Sequence, residues 1–220
     1  MQYSALRAQD PTESGQPDGL ALLEQFGTSL SLRRDQEIYP EGADATNIYR
    51  VVSGCVRTVK LMADGRRQVC AFLFAGDLIG LDDTTTHDFG AEAVTESVLR
   101  RYPRRTVDAL AESSPVLGRA LRDDMMTSLH AIHQQLTLLG RRTASERIAT
   151  FLLEMDRRIP RTSKSLLHLP MSRGDIADYL GLTGETVCRL LTQMKRDQIL
   201  VILRAGVQLL DRAALRHQAG

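Results

Sequence analysis

The spacing of apolar and polar residues changes from short strand-like runs to long helical periods after about residue 112. Between residues 29 and 102 the apolar runs end at turns such as Ala63-Asp64-Gly65 and Ala75-Gly76-Asp77. Several short strands at such spacing predict an antiparallel β-roll or jelly roll. The predicted strands cover residues 36–39, 47–53, 55–61, 67–74, 91–94 and 97–102. Ahead of them, we predict a flexible arm over residues 1–19 and a short helix over 20–27.

A long helix is predicted after the strands, and its apolar residues form a narrow seam. Ser114 can cap its first turn and Pro115 suits the first helical position, whereas Gly140 is expected to end it. A helix of about 25 residues would be about 37 Å long. The seam follows the four-and-three spacing of a heptad through Met125, Leu129, Ile132, Leu136 and Leu139. This pattern favours a parallel homodimer, although the first half of the helix can instead pack on its own β-domain.

The C-terminal region predicts a helix-turn-helix. If Arg173 is its first position, the small Ala177 is fifth, where the two helices cross, and Gly181 is ninth, in a turn that needs positive φ. Aliphatic residues fill the positions that share a core: Ile176, Leu180, Leu182, Val187 and Leu190. Capping residues are expected before each helix, with Ser172 and Asp175 at the first and Thr183 at the second.

The segments on either side of this motif complete a winged helix. Thr143 and Glu146 form a capping-box pattern that opens a preceding helix, and residues 166–169 predict a short strand. Segments 199–203 and 207–210 flank a glycine-containing turn and predict a β-hairpin wing, after which Asp211 caps a short last helix.

The second helix of the motif, about residues 184–196, has one apolar face and one polar face. The apolar face carries Val187, Leu190, Leu191 and Met194, and the outward face carries Glu185, Cys188, Arg189, Thr192 and Lys195. We expect Glu185, Cys188 and Arg189 to read bases, because an arginine can donate two hydrogen bonds to guanine and a glutamate can accept one from cytosine. The alternative role for Glu185 is to stabilise the positive end of the helix. Phosphate contacts are expected from Arg173, Thr183, Thr186, Thr192, Lys195 and Arg196.

Charge and composition agree with a polyanionic partner. Residues 141–220 hold 14 Lys and Arg against 8 Asp and Glu, whereas residues 1–140 hold 14 against 19. No apolar run is long enough to span a membrane, and the start has no apolar leader segment. Three widely spaced cysteines suit free thiols in a reducing compartment, so a cytoplasmic protein is expected.

On these motifs the chain resembles the CRP/FNR superfamily of bacterial transcription regulators. The matching stretches are residues 53–57, 64–66 and 76–80 in the β-region and 181–189 in the helix-turn-helix. The family's Glu-x-x-Ser-Arg reading pattern becomes Glu185, Cys188 and Arg189, and residues 169–180 are similar to the FixK branch of alphaproteobacteria. The resemblance implies a homodimer on a palindromic operator with TTGA-type half-sites. It also implies activation, through contact with RNA polymerase, of genes for low-oxygen respiration or nitrogen fixation.

Departures from the family pattern argue against its familiar effectors. Leu81 stands where cyclic-AMP receptors carry a ribose-binding glutamate, and the acidic residues Asp82, Asp83 and Asp88 would repel a phosphate. The N-terminal arm has no cysteine for an iron–sulfur centre. We therefore expect no cofactor and no small-molecule effector, with a ligand-gated regulator of cyclic-nucleotide or haem type as the alternative.

Histidines give no metal or haem site by sequence. His87 is the only histidine before His130 and lies among polar residues, so a solvated side chain is predicted. His130 and His133 are predicted to be surface residues. A β-roll metal enzyme, which needs a histidine cluster, is therefore the less favoured function, and we expect no catalytic residues.

Cys188 replaces a serine on the predicted DNA-facing surface, and two interpretations stay open. It either substitutes for serine in size alone, or it forms a redox switch in which a thiolate favoured by nearby arginines is oxidised and blocks DNA. Cys55 and Cys70 alternate with apolar strand residues and are predicted to lie in the core.

The sequence thus predicts an α+β protein with four parts. They are a flexible arm (1–19), a β-roll sensor-like domain (20–112), a dimerisation helix (113–140) and a winged helix-turn-helix (141–220).

Overall fold

The computed structural model describes residues 19–81, 85–159, 166–204 and 206–220. Apart from Gly19, the predicted flexible arm lies outside these residues. The described chain forms two units, of which the first comprises residues 19–56 and 73–133 and the second comprises residues 57–72 and 134–220. None of the described helices is long and apolar enough to cross a membrane.

Short strands form the N-terminal half, as the apolar runs predicted. A 3₁₀-helix at Gly19–Phe26 precedes β1 (Thr28–Leu32), β2 (Glu37–Tyr39), β3 (Asn47–Ser53), β4 (Val56–Leu61), β5 (Arg67–Leu73), β6 (Leu78–Ile79), β7 (Gly90–Ala93) and β8 (Ser97–Pro103). In the first unit, one antiparallel sheet has the order β1-β8-β3-β6, and β2 pairs with β7. Strands β1 and β6 were not among the predicted strands.

The core of the first unit lies between these strands. Alternating residues point inward, so that Leu99 on β8 faces Leu30 on β1 and Val51 on β3 in register. A second apolar cluster joins the 3₁₀-helix, β3, β6 and β8 to two helices, α1 (Arg104–Ser113) and α2 (Pro115–Arg141). Its buried members are Leu23, Ile48, Leu78, Tyr102, Val107 and Leu117.

The long helix α2 begins where the sequence predicted. Pro115 is its first residue, and the Ser114 hydroxyl accepts a hydrogen bond from the Leu117 amide at 3.4 Å. The helix continues one residue beyond Gly140 to Arg141, because a glycine in a helix is unfavourable but not prohibitive. Its first turns pack in the core of the β-domain through Leu117 and Leu121.

The second unit contains the winged helix. Its elements are α3 (Ala144–Arg158), β9 (Leu166–His168), α4 (Arg173–Leu180), α5 (Gly184–Arg196), β10 (Leu200–Leu203), β11 (Gly206–Leu209) and α6 (Arg212–Ala219). Strands β10, β11 and β9 form an antiparallel sheet in that order. The predicted α+β fold class is therefore confirmed.

Two predictions about single residues are wrong. His87 is buried at 2% exposure, because its backbone pairs with Ala43 and places the ring on Tyr39, with ring centroids 3.6 Å apart. Cys55 is buried as predicted, but Cys70 is only half-buried, as are its β5 neighbours Gln68 and Ala71.

Candidate nucleic-acid interface

Helix α4 begins with the reciprocal cap that the sequence predicted. The Ser172 hydroxyl accepts a hydrogen bond from the Asp175 amide at 3.0 Å, and Oδ2 of Asp175 accepts one from the Ser172 amide at 3.0 Å. Two backbone amides at the start of α4 are thereby satisfied. The cap fixes where α4 starts and hence where the side chain of Arg173, its first residue, leaves the helix.

The turn between α4 and α5 needs the glycine that occupies it. Gly181 has φ 61° and ψ 42°, the left-handed conformation that favours glycine at the end of a helix. The Leu182 amide then donates to the Ala177 carbonyl at 3.0 Å, which closes the turn. Thr183 caps α5 by accepting from the Thr186 amide at 3.2 Å, and the two hydroxyl oxygens are 2.9 Å apart.

Helix α5 separates its faces as predicted. Val187, Leu191 and Met194 are buried, and Leu190 is half-buried. The outward residues are all exposed: Glu185, Cys188, Arg189, Thr192 and Lys195. The face that the sequence assigned to base edges is thus the solvent-facing side of a helix whose other side belongs to the core.

The exposed face of α5 carries charge at both ends as well as at Arg189 in its middle. Glu185 is in the first turn, where the helix end is positive, and Lys195 and Arg196 are in the last turn. Burial lowers the pKa of the half-buried Arg173, and its interaction with Cys188 acts in the opposite direction. Arg173 and Cys188 are therefore electrostatic neighbours, although they belong to different helices.

The threonines of the predicted set already serve local roles. Thr183 and Thr186 form the cap of α5, and the Thr192 hydroxyl donates to the Cys188 carbonyl at 2.8 Å. Each hydroxyl oxygen can still accept a further hydrogen bond, so these contacts leave the predicted phosphate roles open. Arg204 is an exposed cation in the wing turn that was not among the predicted contact residues; its position in that turn was the available signal.

The apolar seam of α2 is open to solvent in the single chain. Met125, Leu129, Ile132 and Leu136 are 48%, 44%, 63% and 70% exposed, respectively. Leu139, the last predicted seam residue, is half-buried, and its Cδ2 lies 3.5 Å from the position that a Cβ on Gly181 would take. Four consecutive seam residues of α2 are therefore without an apolar cover in this chain.

Aromatic side chains pack together inside the described part of the β-roll. Tyr39 stacks on His87 and also contacts Tyr49, with the tyrosine ring centroids 5.6 Å apart. An open depression of about 370 Å³ on the outside includes Arg50 and Arg100, and both guanidiniums pair with Glu24. Among the described residues, no group of three or more His, Cys, Asp and Glu side chains could hold a metal ion.

Comparison with known proteins identifies the family. The profile of the cyclic nucleotide-binding domain matches residues 29–114, and that of the Crp-like helix-turn-helix domain matches residues 146–218. The nitrogen fixation regulation protein FixK of Azorhizobium caulinodans is 43% identical over 196 residues, covering 87% of this chain and 79% of the relative. The chain belongs to the FixK branch of the CRP/FNR family of transcription regulators.

A solved structure supports the assignment of this chain to the CRP/FNR family. FixK2 from Bradyrhizobium japonicum superposes with a TM-score of 0.84 at 41% identity, covering 88% of this chain and 98% of that one. The FixK protein of Bradyrhizobium diazoefficiens is 34% identical over 198 residues, covering 89% of this chain and 84% of the relative. The relatives are transcription regulators, so the prediction that the chain is not an enzyme is confirmed.

Proposed function

We propose that this CRP/FNR regulator binds a palindromic operator with TTGA-type half-sites as a homodimer. We further propose that it activates, through RNA polymerase, genes for low-oxygen respiration or nitrogen fixation. The observation that carries the proposal is the exposed face of α5, where Glu185, Cys188 and Arg189 stand together on a capped helix-turn-helix. The names of its FixK relatives support the regulated process. A regulator that binds chromosomal DNA would act in the cytoplasm, which is also the compartment predicted from the cysteines.

Base reading is assigned to the first two turns of α5. Arg189 offers two parallel N–H donors for guanine O6 and N7, and Glu185 offers an acceptor for cytosine N4. Both side chains are exposed, so no contact within the described chain has to break before they enter a groove. Arg173, Lys195, Arg196 and the threonines Thr183, Thr186 and Thr192 are assigned to the phosphates on either side.

Dimerisation is assigned to the exposed seam of α2. A soluble helix rarely leaves four large apolar residues of one heptad stripe in water, and a second copy of the same helix covers such a stripe by knobs-into-holes packing. The occupant is therefore a second copy of this chain, which also supplies the second recognition helix that a palindrome requires.

The β-roll is proposed to act without a small-molecule effector. The aromatic packing of Tyr39, Tyr49 and His87 occupies its interior, and the arginines of the outer depression are already paired with Glu24. Titrating operator binding with cyclic AMP tests this point. An effect on operator affinity would favour the ligand-gated alternative.

Cys188 is proposed to be a redox switch on the DNA-facing surface. Its thiol is exposed, as attack by peroxide requires, and the guanidinium of Arg173 interacts with it across the two helices. Peroxide oxidises the thiolate to a sulfenic acid and is itself reduced to water, which adds an oxygen atom where the helix faces a base. The rival interpretation, that cysteine merely replaces serine, predicts no response to peroxide.

One selection experiment tests the function as a whole. Purified protein is incubated with random-sequence duplexes in thiol-containing buffer and, in parallel, after peroxide treatment, and the bound DNA is sequenced. We expect an inverted repeat of TTGA-type half-sites from the reduced protein and its loss from the oxidised protein. Reduced protein that prefers no palindrome over scrambled duplex overturns the proposed function.

A further inference from the structure

The strands β4 and β5 form a hairpin whose residues 57–72 belong to the same unit as the helix-turn-helix. Arg57 on this hairpin is only 7% exposed, which is unusual for an arginine without a specific partner. Its Nη1 donates to Oδ1 of Asp175 at 3.0 Å, and Asp175 is itself 3% exposed. A buried ion pair thus joins the hairpin to the first turn of α4.

Asp175 divides its two oxygens between two tasks. Oδ2 caps α4 by accepting from the amide and the hydroxyl of Ser172, at 3.0 and 2.8 Å. Oδ1 accepts from both hairpin arginines, from Arg57 at 3.0 Å and from Nη2 of Arg67 at 2.6 Å. The same carboxylate therefore starts the helix and attaches it to the hairpin.

Arg67 extends the attachment along α4. Its Nε and Nη2 donate to Oδ2 of Asp178 at 3.0 and 2.9 Å. Asp178 lies about one helical turn beyond Asp175. At the other end of the helix, Nε2 of Gln68 reaches the Tyr179 carbonyl at 3.5 Å. The ring of Phe72 lies 5.2 Å from that of Tyr179, measured between centroids. The hairpin thus contacts α4 at its first turn, its middle and its last turn.

We propose that Arg57 and Arg67 are positioning residues for DNA recognition, although neither lies in the helix-turn-helix. Helix α4 has eight residues, too few to hold its place by backbone hydrogen bonds alone. It carries Arg173 and is joined to α5 by the tight turn at Gly181, so the orientation of α4 sets the register of the reading face. A hairpin that fixes α4 before DNA arrives lowers the ordering cost of specific binding. This inference rests on the proposed function.

The test compares two neighbouring arginines of one hairpin. Arg67→Gln removes the contacts to Asp175 and Asp178, whereas Arg66→Gln is the matched control, because the Arg66 side chain is 81% exposed and pairs with Asp64 in the turn. Affinity for the selected operator and for a scrambled duplex is measured by fluorescence anisotropy, well below the thermal midpoint of each variant. We expect Arg67→Gln to weaken operator binding about ten-fold. Scrambled-duplex binding should change much less, and Arg66→Gln should match the wild type in both assays.

A second variant separates positioning from a merely structural role. Asp178→Asn removes the charge that Arg67 contacts on α4 and leaves the hairpin sequence intact. We expect it to lower the ratio of operator to scrambled-duplex affinity in the same direction, and the double variant to be no worse than Arg67→Gln alone. In the DNA-free protein, we expect Arg67→Gln and Asp178→Asn to exchange the amide hydrogens of residues 173–180 faster than the Arg66→Gln control does.

The outcomes distinguish the two proposals. If the wild type prefers the palindrome and Arg67→Gln and Asp178→Asn keep the same preference, the positioning role is overturned and the proposed function stands. The positioning role also falls if both variants lose thermal stability but retain the wild-type affinity ratio. If the wild type itself has no preference, the proposed function fails first.

Discussion

Arg212 and Asp156 form a two-point ion pair that fastens α6 to α3, with Nε–Oδ2 at 2.9 Å and Nη2–Oδ1 at 3.1 Å. Asp156 is 9% exposed, so the pair lies largely out of water. Parallel hydrogen bonds of this kind are among the stronger polar contacts in proteins. The last helix is thereby held on the helix that precedes the DNA-binding motif.

Removing this pair should destabilise the second unit. We expect Arg212→Ala to lower the free energy of unfolding by about 1.5–3 kcal/mol, because it removes two charge-assisted hydrogen bonds to a largely buried carboxylate. Urea denaturation followed by circular dichroism measures the loss. Arg216→Ala on the exposed side of the same helix is the control and should change stability by less than about 0.5 kcal/mol. Equal losses in the two variants would contradict the assigned role.

Arg189→Ala should weaken specific binding and relax one position of the site. The expected loss on the operator is about 1–3 kcal/mol, because two hydrogen bonds to one guanine disappear. Binding to scrambled duplex should change much less. Lys195→Ala is the comparison variant: as a phosphate contact, it should weaken binding to both duplexes alike. A uniform loss across all sequences for Arg189→Ala would contradict its base-reading role.

Leu136→Asp should convert the protein to monomers. A buried carboxylate at a seam position has no partner across a parallel pair of helices, so the interface is lost. Operator binding should fall with it, because two half-sites about 34 Å apart need two linked recognition helices. Sedimentation and anisotropy measure the two effects. Ala131→Asp, off the seam on the same helix, should remain dimeric.

Peroxide should inactivate the wild type through Cys188. Cys188→Ser removes the thiol while keeping the size of the side chain, so it should retain operator affinity after a treatment that abolishes wild-type binding. Mass spectrometry of the treated wild type should place the added oxygen at residue 188. A serine variant that loses affinity as fast as the wild type would rule out the switch.

Asp175 should contribute to acid sensitivity. Burial alone would raise the pKa of this carboxyl, but the hydrogen bonds from Ser172 and the charges of Arg57 and Arg67 outweigh it and hold the pKa below its usual value. A depressed pKa stabilises the folded state above the unfolded-state value, and that contribution is lost as the pH falls below about 4. Asp175→Asn should be less stable at pH 7 and should lose less stability than the wild type between pH 5 and pH 2. Parallel acid profiles for the two proteins would contradict the effect.

Local signals made most of the helix-turn-helix predictable. The caps of α4 and α5, the positive φ of Gly181 and the two faces of α5 each depend on residues within a few positions of one another. Helix α1 was not predicted, because the apolar residues that it packs into the core, Val107, Leu110 and Ala111, cover little more than one turn; Val107, its one fully buried residue, packs against distant elements. The burial of His87 likewise follows from Tyr39, 48 residues away in the chain.

Long-range contacts account for what the sequence did not reveal. Arg57 and Asp175 are 118 residues apart, and an arginine in a strand pattern looks like any solvent-facing charge. The DNA contacts, the dimer and the role of Cys188 stay predictions, because each depends on a partner or a reaction outside the single chain.

The two roles of the Asp175 carboxylate affect how the domains of this regulator can be exchanged with those of another protein. A chimaera joined at residue 141 would transplant α4 with its own cap but would leave Oδ1 of Asp175 facing neither Arg57 nor Arg67. The unit to transfer in a domain exchange therefore consists of two separate stretches of the chain, the β4–β5 hairpin and the winged helix. An engineered fusion that carries over only the C-terminal stretch would inherit the side chains proposed to contact bases without the hairpin contacts proposed to position them.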